Sequence, residues 1–520
     1  MYCSSCWWSD EWDGTEYAID YDPSRPFLAQ VKELTSKTPW QALEIAYLTL
    51  TNSDYVNAVA HMKNCYLTFW ADYCENVFYS TFLNDLKDSL DCYRMEKSEL
   101  CYESIGCHKC YRTFFSEECD SCTDVWFSRN CAGCTNCFGC INMRNKNYCI
   151  FNEQYSREDY FKKLEEFQLS SRTSLLEMRK RVYVFWNEYP RRSYSGNSLN
   201  VNVSGDYIYE SRNARDAYMA TGAENSRFVQ FLSITPTRDS YDYSGWGNGA
   251  EQIYESAVVG EGANNVKFSD ECWPDTLDVE YSIYAIASKH IFGCVNLKRK
   301  SYCILNKQYS REDFEALREQ VITHMNEMPH IDSQGRAYRY GDFFPIEMSP
   351  FGYNASSAQE TFPLSREEAK IRGYKWKLPE PGDYTITIPS DHIPDSAGEI
   401  PANVIQEVLG CAHGGKCAES CSLAFRVTQS ELDFYHRMQL PLPNLCPNCR
   451  HYRRTAQRNP LRLWDGACQC AGAASRDMVY TNTINHFHGT EHCPNTFQTS
   501  YSPERKEIVY CEACYNAEVV

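Results

Sequence analysis

The sequence predicts a mainly β fold: two tandem β-solenoid (β-helix-like) stacks joined by helices, with small cysteine-rich modules at the C-terminal end. Three observations predict it. Residues 51–155 carry a 12-residue period, one segment recurs at an offset of 154 residues, and paired cysteines stand at metal-ligand spacing beyond residue 410.

The period is read from its columns. Stepping by 12 from Tyr66 lands on Phe78, Leu90, Tyr102, Phe114, Trp126 and Phe138, all large and apolar. Lys63, Glu75, Lys87 and Glu99 share a different, charged column. A fixed period with apolar columns and charged columns describes coils stacked so that like residues form ladders. Helical repeats need about 33 residues or more per unit, so this one is too short for them. The absence of a 3.6-residue apolar stripe and the density of Tyr, Phe and Thr argue for β structure. Residues 51–155 therefore read as a first β-solenoid, with a coil of 12 residues or of a pair of 12s.

Within it, NCAGCTNCFGC places Cys131, Cys134, Cys137 and Cys140 one every third residue. In other repeats their columns hold Ser, Thr, Val, Leu, Met and Ala, which interchange as small interior groups but not as ligands. The every-third spacing then reports inward positions of a narrow coil. A metal held between the last coils, from Cys107 to Cys140, is the alternative. The ferredoxin run ends in x₃ and a proline, whereas here the last gap is x₂ and Ile141 follows.

The segments GCINMRNKNYCIFNEQYSRED (139–159) and GCVNLKRKSYCILNKQYSRED (293–313) share 14 of 21 positions. In each, a serine (Ser156, Ser310) stands three residues before an aspartate and opens a helical pattern. A second, more degenerate β-solenoid should therefore fill 195–309, with Tyr207, Tyr218, Phe228, Phe268, Tyr281 and Phe292 as ladder candidates. It keeps only Cys272, Cys294 and Cys303. Residues 156–194 read as a helical linker, and 310–400 as a helix followed by a Pro-, Gly- and Ser-rich connector.

Residues 401–465 and 466–520 form the two cysteine-rich modules. Cys417 and Cys421 pair with Cys446 and Cys449, about 25 residues on, to close a Cys₄ zinc site, because thiolates suit a borderline-soft cation with no geometric demand of its own. Whether Cys411 or Cys417 is the fourth ligand stays open. In the last module Cys511 and Cys514 pair with Cys468 and Cys470, the other candidates being His486, His488, His492 and Cys493. At the start of the chain, residues 1–50 hold a helix and a half zinc knuckle, Cys3 and Cys6, whose YCSSCWW mirrors YCEACYN.

The first module resembles a treble-clef zinc-ribbon family, with Cys421, Phe425, Glu431, Phe434, Tyr435, Leu440, Pro443, Cys446, Pro447, Cys449 and Arg450 on its pattern. Three positions depart: x₃ separates Cys417 from Cys421, and Ser422 and Gln439 replace glycines. Over nearly its whole length, through SDEWD…DPSRPF, the Asn-Cys-Tyr ladder, SPFGYN…FPLSREEA, CPNCR…RNP and SPERKEIVYCEACY, the chain is similar to an uncharacterised protein family of very small-genome bacteria. That resemblance implies zinc ribbons around a β-solenoid and no activity.

The 520 residues include 28 cysteines and 38 tyrosines and carry a net charge of −18, which opposes general adhesion to nucleic acid. The N-terminus has no signal-peptide pattern and no run of about 18 apolar residues occurs, so a cytoplasmic protein with reduced thiols and no membrane span is expected. No phosphate loop, nucleophile elbow, HExxH or dinucleotide fingerprint is present, and Asp239, Asp242 and Asp270 lack spacing that would mark a glycan-active groove. The expected role is non-enzymatic: a scaffold with structural zinc that binds a protein partner or itself, with no small-molecule substrate identified. The alternative is a nucleic-acid- or ribosome-associated factor. It would use the basic run after Cys449, where Arg450, Arg453, Arg454 and Arg458 share one helix face.

Overall fold

The computed structural model describes residues 1–196, 199–378, 384–417 and 419–520. The protein is mainly β, built on two large sheets of predominantly parallel strands with helices packed beside them. Among the described residues the first sheet has nine strands, from Asn57–Lys63 to Glu153–Gln154, each paired with the next in chain order. Asn57 pairs with Phe69, Phe69 with Thr81 and Thr81 with Tyr93, so each parallel step is 12 residues. The aromatic column read from the sequence appears as consecutive Cα partners: Tyr66↔Phe78, Leu90↔Tyr102, Tyr102↔Phe114, Phe114↔Trp126 and Trp126↔Phe138.

The backbone shows why 12 residues suffice. Every third residue from Asn52 to Phe151 has positive φ, including Trp70, Tyr73, Arg94 and Leu100. For residues other than Gly, Asn and Asp that conformation costs on the order of 1 kcal/mol, so the parallel ladders and the interior must offset it many times over. From Tyr55 to Gly139 the residue after each such position is buried. Cys65, Cys74, Cys92, Cys101 and the run from Cys107 to Cys149 fill these places together with Val77, Leu86, Met95 and Val125.

Serine and cysteine interchange here because they make the same bonds. Ser116 Oγ donates to the carbonyl of Phe114, 2.9 Å away, and Cys110 Sγ donates to those of His108 and Cys119 at 3.3 and 3.5 Å. Inward serines also accept from the next repeat: Ser80 Oγ from Cys92 N–H at 2.9 Å, and Ser98 Oγ from Cys110 N–H at 3.0 Å. Outside, Asn52, Asn64, Asn76 and Asp88 form an amide ladder with contacts of 3.0, 3.0 and 2.8 Å.

The second sheet runs from Gly205–Tyr209 to Lys307–Gln308 and repeats these devices. Asn202, Asn213, Asn225 and Asp239 form the corresponding ladder. Its steps vary: Gly205↔Ala217 is 12 residues, Arg227↔Tyr241 is 14, Tyr241↔Tyr254 is 13, and Leu277↔Lys289 returns to 12. The ladder candidates read from the sequence therefore fall into different columns. Phe268 stacks on Tyr281 at 4.8 Å, but Tyr218 pairs with Gln230 and Phe292 with Glu280.

Both sheets end in the same cap. A short antiparallel strand folds back, pairing Cys149 with Gln154 and Cys303 with Gln308. An asparagine side chain then mimics a peptide group: Asn152 bonds both N–H and C=O of Ile141, and Asn306 those of Val295. The helices Arg157–Glu166 and Arg311–Glu327 follow, N-capped by Ser156 and Ser310. Helix Phe27–Lys37 packs Phe27 and Val31 over the second sheet at Gly293, where a Cβ would lie 2.3 Å from the Phe27 ring. The segment from Leu409 to Cys449 covers one flank of the first sheet. Among the described residues no helix is long and apolar enough to cross a membrane.

Candidate metal centres

The first centre is assembled by a strand pair and a helix start. Leu409–Gly410 pairs antiparallel with Ala424–Phe425, which brings Cys411 and Cys421 to the same end of the turn. Thr428 and Glu431 form a capping box on helix Gln429–Met438, and the chain returns to Cys446, the N-cap of helix Pro447–Thr455. Cys449 sits in that helix's first turn, where unpaired N–H groups favour a thiolate. Cys411, Cys421, Cys446 and Cys449 thus form a group able to hold a metal ion. Cys411 Sγ lies 3.8 Å from Cys449 Sγ, and Cys446 Sγ lies 4.0 Å from Cys421 Sγ. A tetrahedral thiolate site with Zn–S near 2.3 Å has sulfur–sulfur edges of about 3.8 Å, so the donors fit such an ion. Cys446 N–H points at Cys411 Sγ, and Leu423 N–H at Cys421 Sγ, which offsets thiolate charge.

Of the two residues left open as fourth ligand, Cys411 joins this quartet, while Cys417 falls in a second group able to hold a metal ion, with His413, Glu419 and Cys449. The loop after Cys411 turns through Gly414 and Gly415, both at positive φ, and leaves Cys417 half-buried with His413 and Glu419, 3.6 Å from Cys449 Sγ. Burial lifts the Cys411 thiol to about 11.

The second module holds two overlapping groups. Strands Trp464–Ala467 and Thr496–Thr499 pair antiparallel and carry Cys468 and Cys493 at the same end. Cys511 is the N-cap of helix Glu512–Val519 and Cys514 lies in its first turn. Cys468, Cys493, Cys511 and Cys514, all buried, form one group; Cys470, His486, His488 and Cys514 form the other. Cys493 Sγ is 3.8 Å from Cys511 Sγ, and Cys511 N–H points at Cys468 Sγ. The bond from Cys468 holds the Cys511 thiol down to about 4. The expected set of Cys468, Cys470, Cys511 and Cys514 is therefore divided, with Cys468 in one group, Cys470 in the other and Cys514 in both. Cys493, an alternative candidate on the sequence, takes the place of Cys470 in the all-cysteine group.

Cys3 has φ and ψ of −66° and 162°, against −65° and 161° at Cys446 and −61° and 161° at Cys511. That extended conformation is also that of the helix N-caps Ser156 and Ser310, and Cys3 and Cys6 are exposed, with no third donor joining them among the described residues.

The four arginines of the basic run do not form a free face. Arg450 and Arg454 are fully buried: Arg454 bonds Asp91 at 2.7 Å and the Tyr79 carbonyl at 3.1 Å, and Arg450 lies 3.2 Å from Asp91 and 4.7 Å over the Tyr79 ring. Arg453 bonds Glu103 at 2.5 Å, and Arg458 bonds Tyr93. This corrects the expectation of a phosphate-binding helix face. The reason is electrostatic: acids buried in the first sheet need cations, and this helix supplies them. Asp239 is engaged in the outer amide ladder, while Asp270 stands beside Glu271 and Glu44, where burial and then the Glu44 charge raise it to about 7.

No family model and no curated protein matches this chain. One solved structure, described as an acetyltransferase from Desulfovibrio desulfuricans G20, is similar at 9% identity and a TM-score of 0.10, over 48% of this chain and 65% of that one. The chain thus spans less than two thirds of that protein, and a likeness at this level carries no argument about fold or activity.

Proposed function

We propose that the chain is a non-enzymatic scaffold, made of two β-solenoids with 12-residue coils and held by structural zinc, which presents its outer ladders to a protein partner or to a second copy. Three-residue sides, four to a coil, account for the positive φ at every third residue. The all-thiolate quartet suits zinc, and the wholly free thiols suit a reducing, cytoplasmic compartment. On this reading the family resemblance concerns architecture alone.

The observation that carries the interaction role is the outer face of the first sheet. There His61 stacks on Tyr73 at 4.3 Å, and Tyr73 remains 57% exposed. A register-locked aromatic pair of this kind offers rigid contact area with little side-chain entropy left to lose. The nucleic-acid reading is weakened, because two of its four arginines are spent inside.

The test uses the full chain, immobilised and exposed to extract with and without nuclease. A protein or second copy retained despite nuclease and released by Tyr73→Asp supports the scaffold. Retention abolished by nuclease or by high salt transfers the role to nucleic acid. Metal analysis runs in parallel: zinc without iron is expected, and iron overturns the metal assignment.

A further inference from the structure

We infer that the C-terminal module holds a two-metal centre in which the Cys514 thiolate bridges, one ion taking Cys468, Cys493, Cys511 and Cys514 and the other Cys470, His486, His488 and Cys514. The inference extends the zinc reading above to residues it does not use.

Four observations carry it. Cys514 belongs to both groups of convergent donor atoms, and no other residue does. Both histidines have one nitrogen committed and the other free. Glu518 Oε1 can only accept as a carboxylate, so His486 Nε2, 3.0 Å away, carries the proton and Nδ1 is the lone-pair nitrogen. That Nδ1 is buried and has no hydrogen-bond partner, a costly arrangement unless something binds it. His488 Nδ1 donates to the Glu491 carbonyl at 2.7 Å, which leaves Nε2 as the lone-pair nitrogen, 3.3 Å from Cys514 Sγ. A carboxylate or carbonyl that fixes the tautomer of a ligating histidine is the usual outer partner of a metal site.

The fourth observation concerns Cys470. Asn482 Nδ2 donates to its Sγ at 3.2 Å, and the Tyr510 hydroxyl holds the Asn482 carbonyl from behind at 2.8 Å. The sulfur is thereby presented as an acceptor, the role a thiolate ligand needs. Charge also favours two ions. Five thiolates against one divalent cation would leave three buried negative charges; against two, they leave one. Cys511 N–H, Cys514 N–H and the Asn495 amide, each aimed at a sulfur, offset that remainder.

The test is metal counting on the full chain. Wild type is expected to hold about three zinc ions, one in the Cys411 quartet and two here. Cys449→Ser should lose only the first of these, so failure of that quartet is seen separately. His486→Ala with His488→Ala should lose one ion from the C-terminal module. A wild-type count of about two, or a histidine variant that keeps the full count, overturns the pair. Because Cys514→Ser is expected to lose both ions and unfold the module, the bridge is tested on wild type loaded with cobalt(II). A thiolate bridge couples the two spins, so paramagnetic resonance should report one isolated ion, from the Cys411 quartet. Full intensity from all the bound cobalt overturns the bridge.

Discussion

Asp91 and Glu103 occupy a column whose other members include Tyr79, Phe115 and Phe127, and both are buried. A carboxylate there must be paired or neutralised; Arg454 and Arg450 pair Asp91, while Arg453 and Arg179 pair Glu103. Arg454→Met should cost about 3 kcal/mol in a denaturant titration of the full chain, since it strips Asp91 of its closest cation. Arg366→Met, at an exposed position, should stay within about 0.5 kcal/mol. A loss for Arg454 as small as that for Arg366 removes the docking role. This pairing was legible in principle: two acids in an aromatic column, and a basic helix after the zinc knuckle, are halves of one contact. A second residue-scale expectation concerns Asp270, raised from 3.8 to about 7 by burial and then by Glu44. A carboxyl whose folded pKa is raised contributes stability that is present below its unfolded pKa and lost as pH rises through the folded value. Asp270→Asn should therefore raise the melting temperature relative to wild type at pH 8, with a smaller gain at pH 5. An equal gain at both removes the titration argument.

The caps are the elements that end each sheet, and they differ in burial. Asn306 is fully buried, whereas Asn152 is half-exposed, so water can replace the lost bonds only at Asn152. Asn306→Ala leaves the Val295 N–H and C=O without partners and should cost about 1–3 kcal/mol, with Asn152→Ala costing less. Hydrogen exchange should quicken at residues 291–304 in the first variant and at 137–150 in the second. Equal effects would mean the caps act by covering an edge rather than by bonding it. The duplicated motif made these caps visible in the sequence, as the apolar columns made the 12-residue register visible, because both repeat residue identity. The positive φ at every third residue left no such mark. Tyr73, Trp70 and Arg94 adopt it without a local signal, since the surrounding ladders impose what propensity opposes. Ligand sets were hidden for a related reason. Cys493 and Cys411 reach their partners through strand pairing, which sequence spacing does not measure.

At the scale of the whole molecule the 28 cysteines fall into three populations that alkylation can separate. Cys3 is exposed, and the Ser5 hydroxyl 3.2 Å away holds its thiol down to about 7, so it is the most reactive at neutral pH. The thiols inside the two sheets are buried and donate to backbone carbonyls; burial lifts Cys92 to about 12 and Cys149 to about 11. Those from Cys411 to Cys514 gather in the groups able to hold a metal ion, with Cys417 and Cys421 partly exposed. Iodoacetamide with peptide mapping should therefore label Cys3 and Cys6 first in the native full chain. A strong chelator should then open the Cys411–Cys514 set, because metal binding supplies much of the folding energy of such small modules. The thiols from Cys65 to Cys149 should stay unlabelled until denaturant melts the first sheet, since their protection comes from packing and not from an ion. If the chelator exposes Cys131, Cys134, Cys137 and Cys140 together with the C-terminal set, those four are ligands and the interior reading of the every-third run fails. If they emerge only with loss of the β signal in circular dichroism, the run is the lining of the sheet's own interior and the metal chemistry is confined to the modules that flank it.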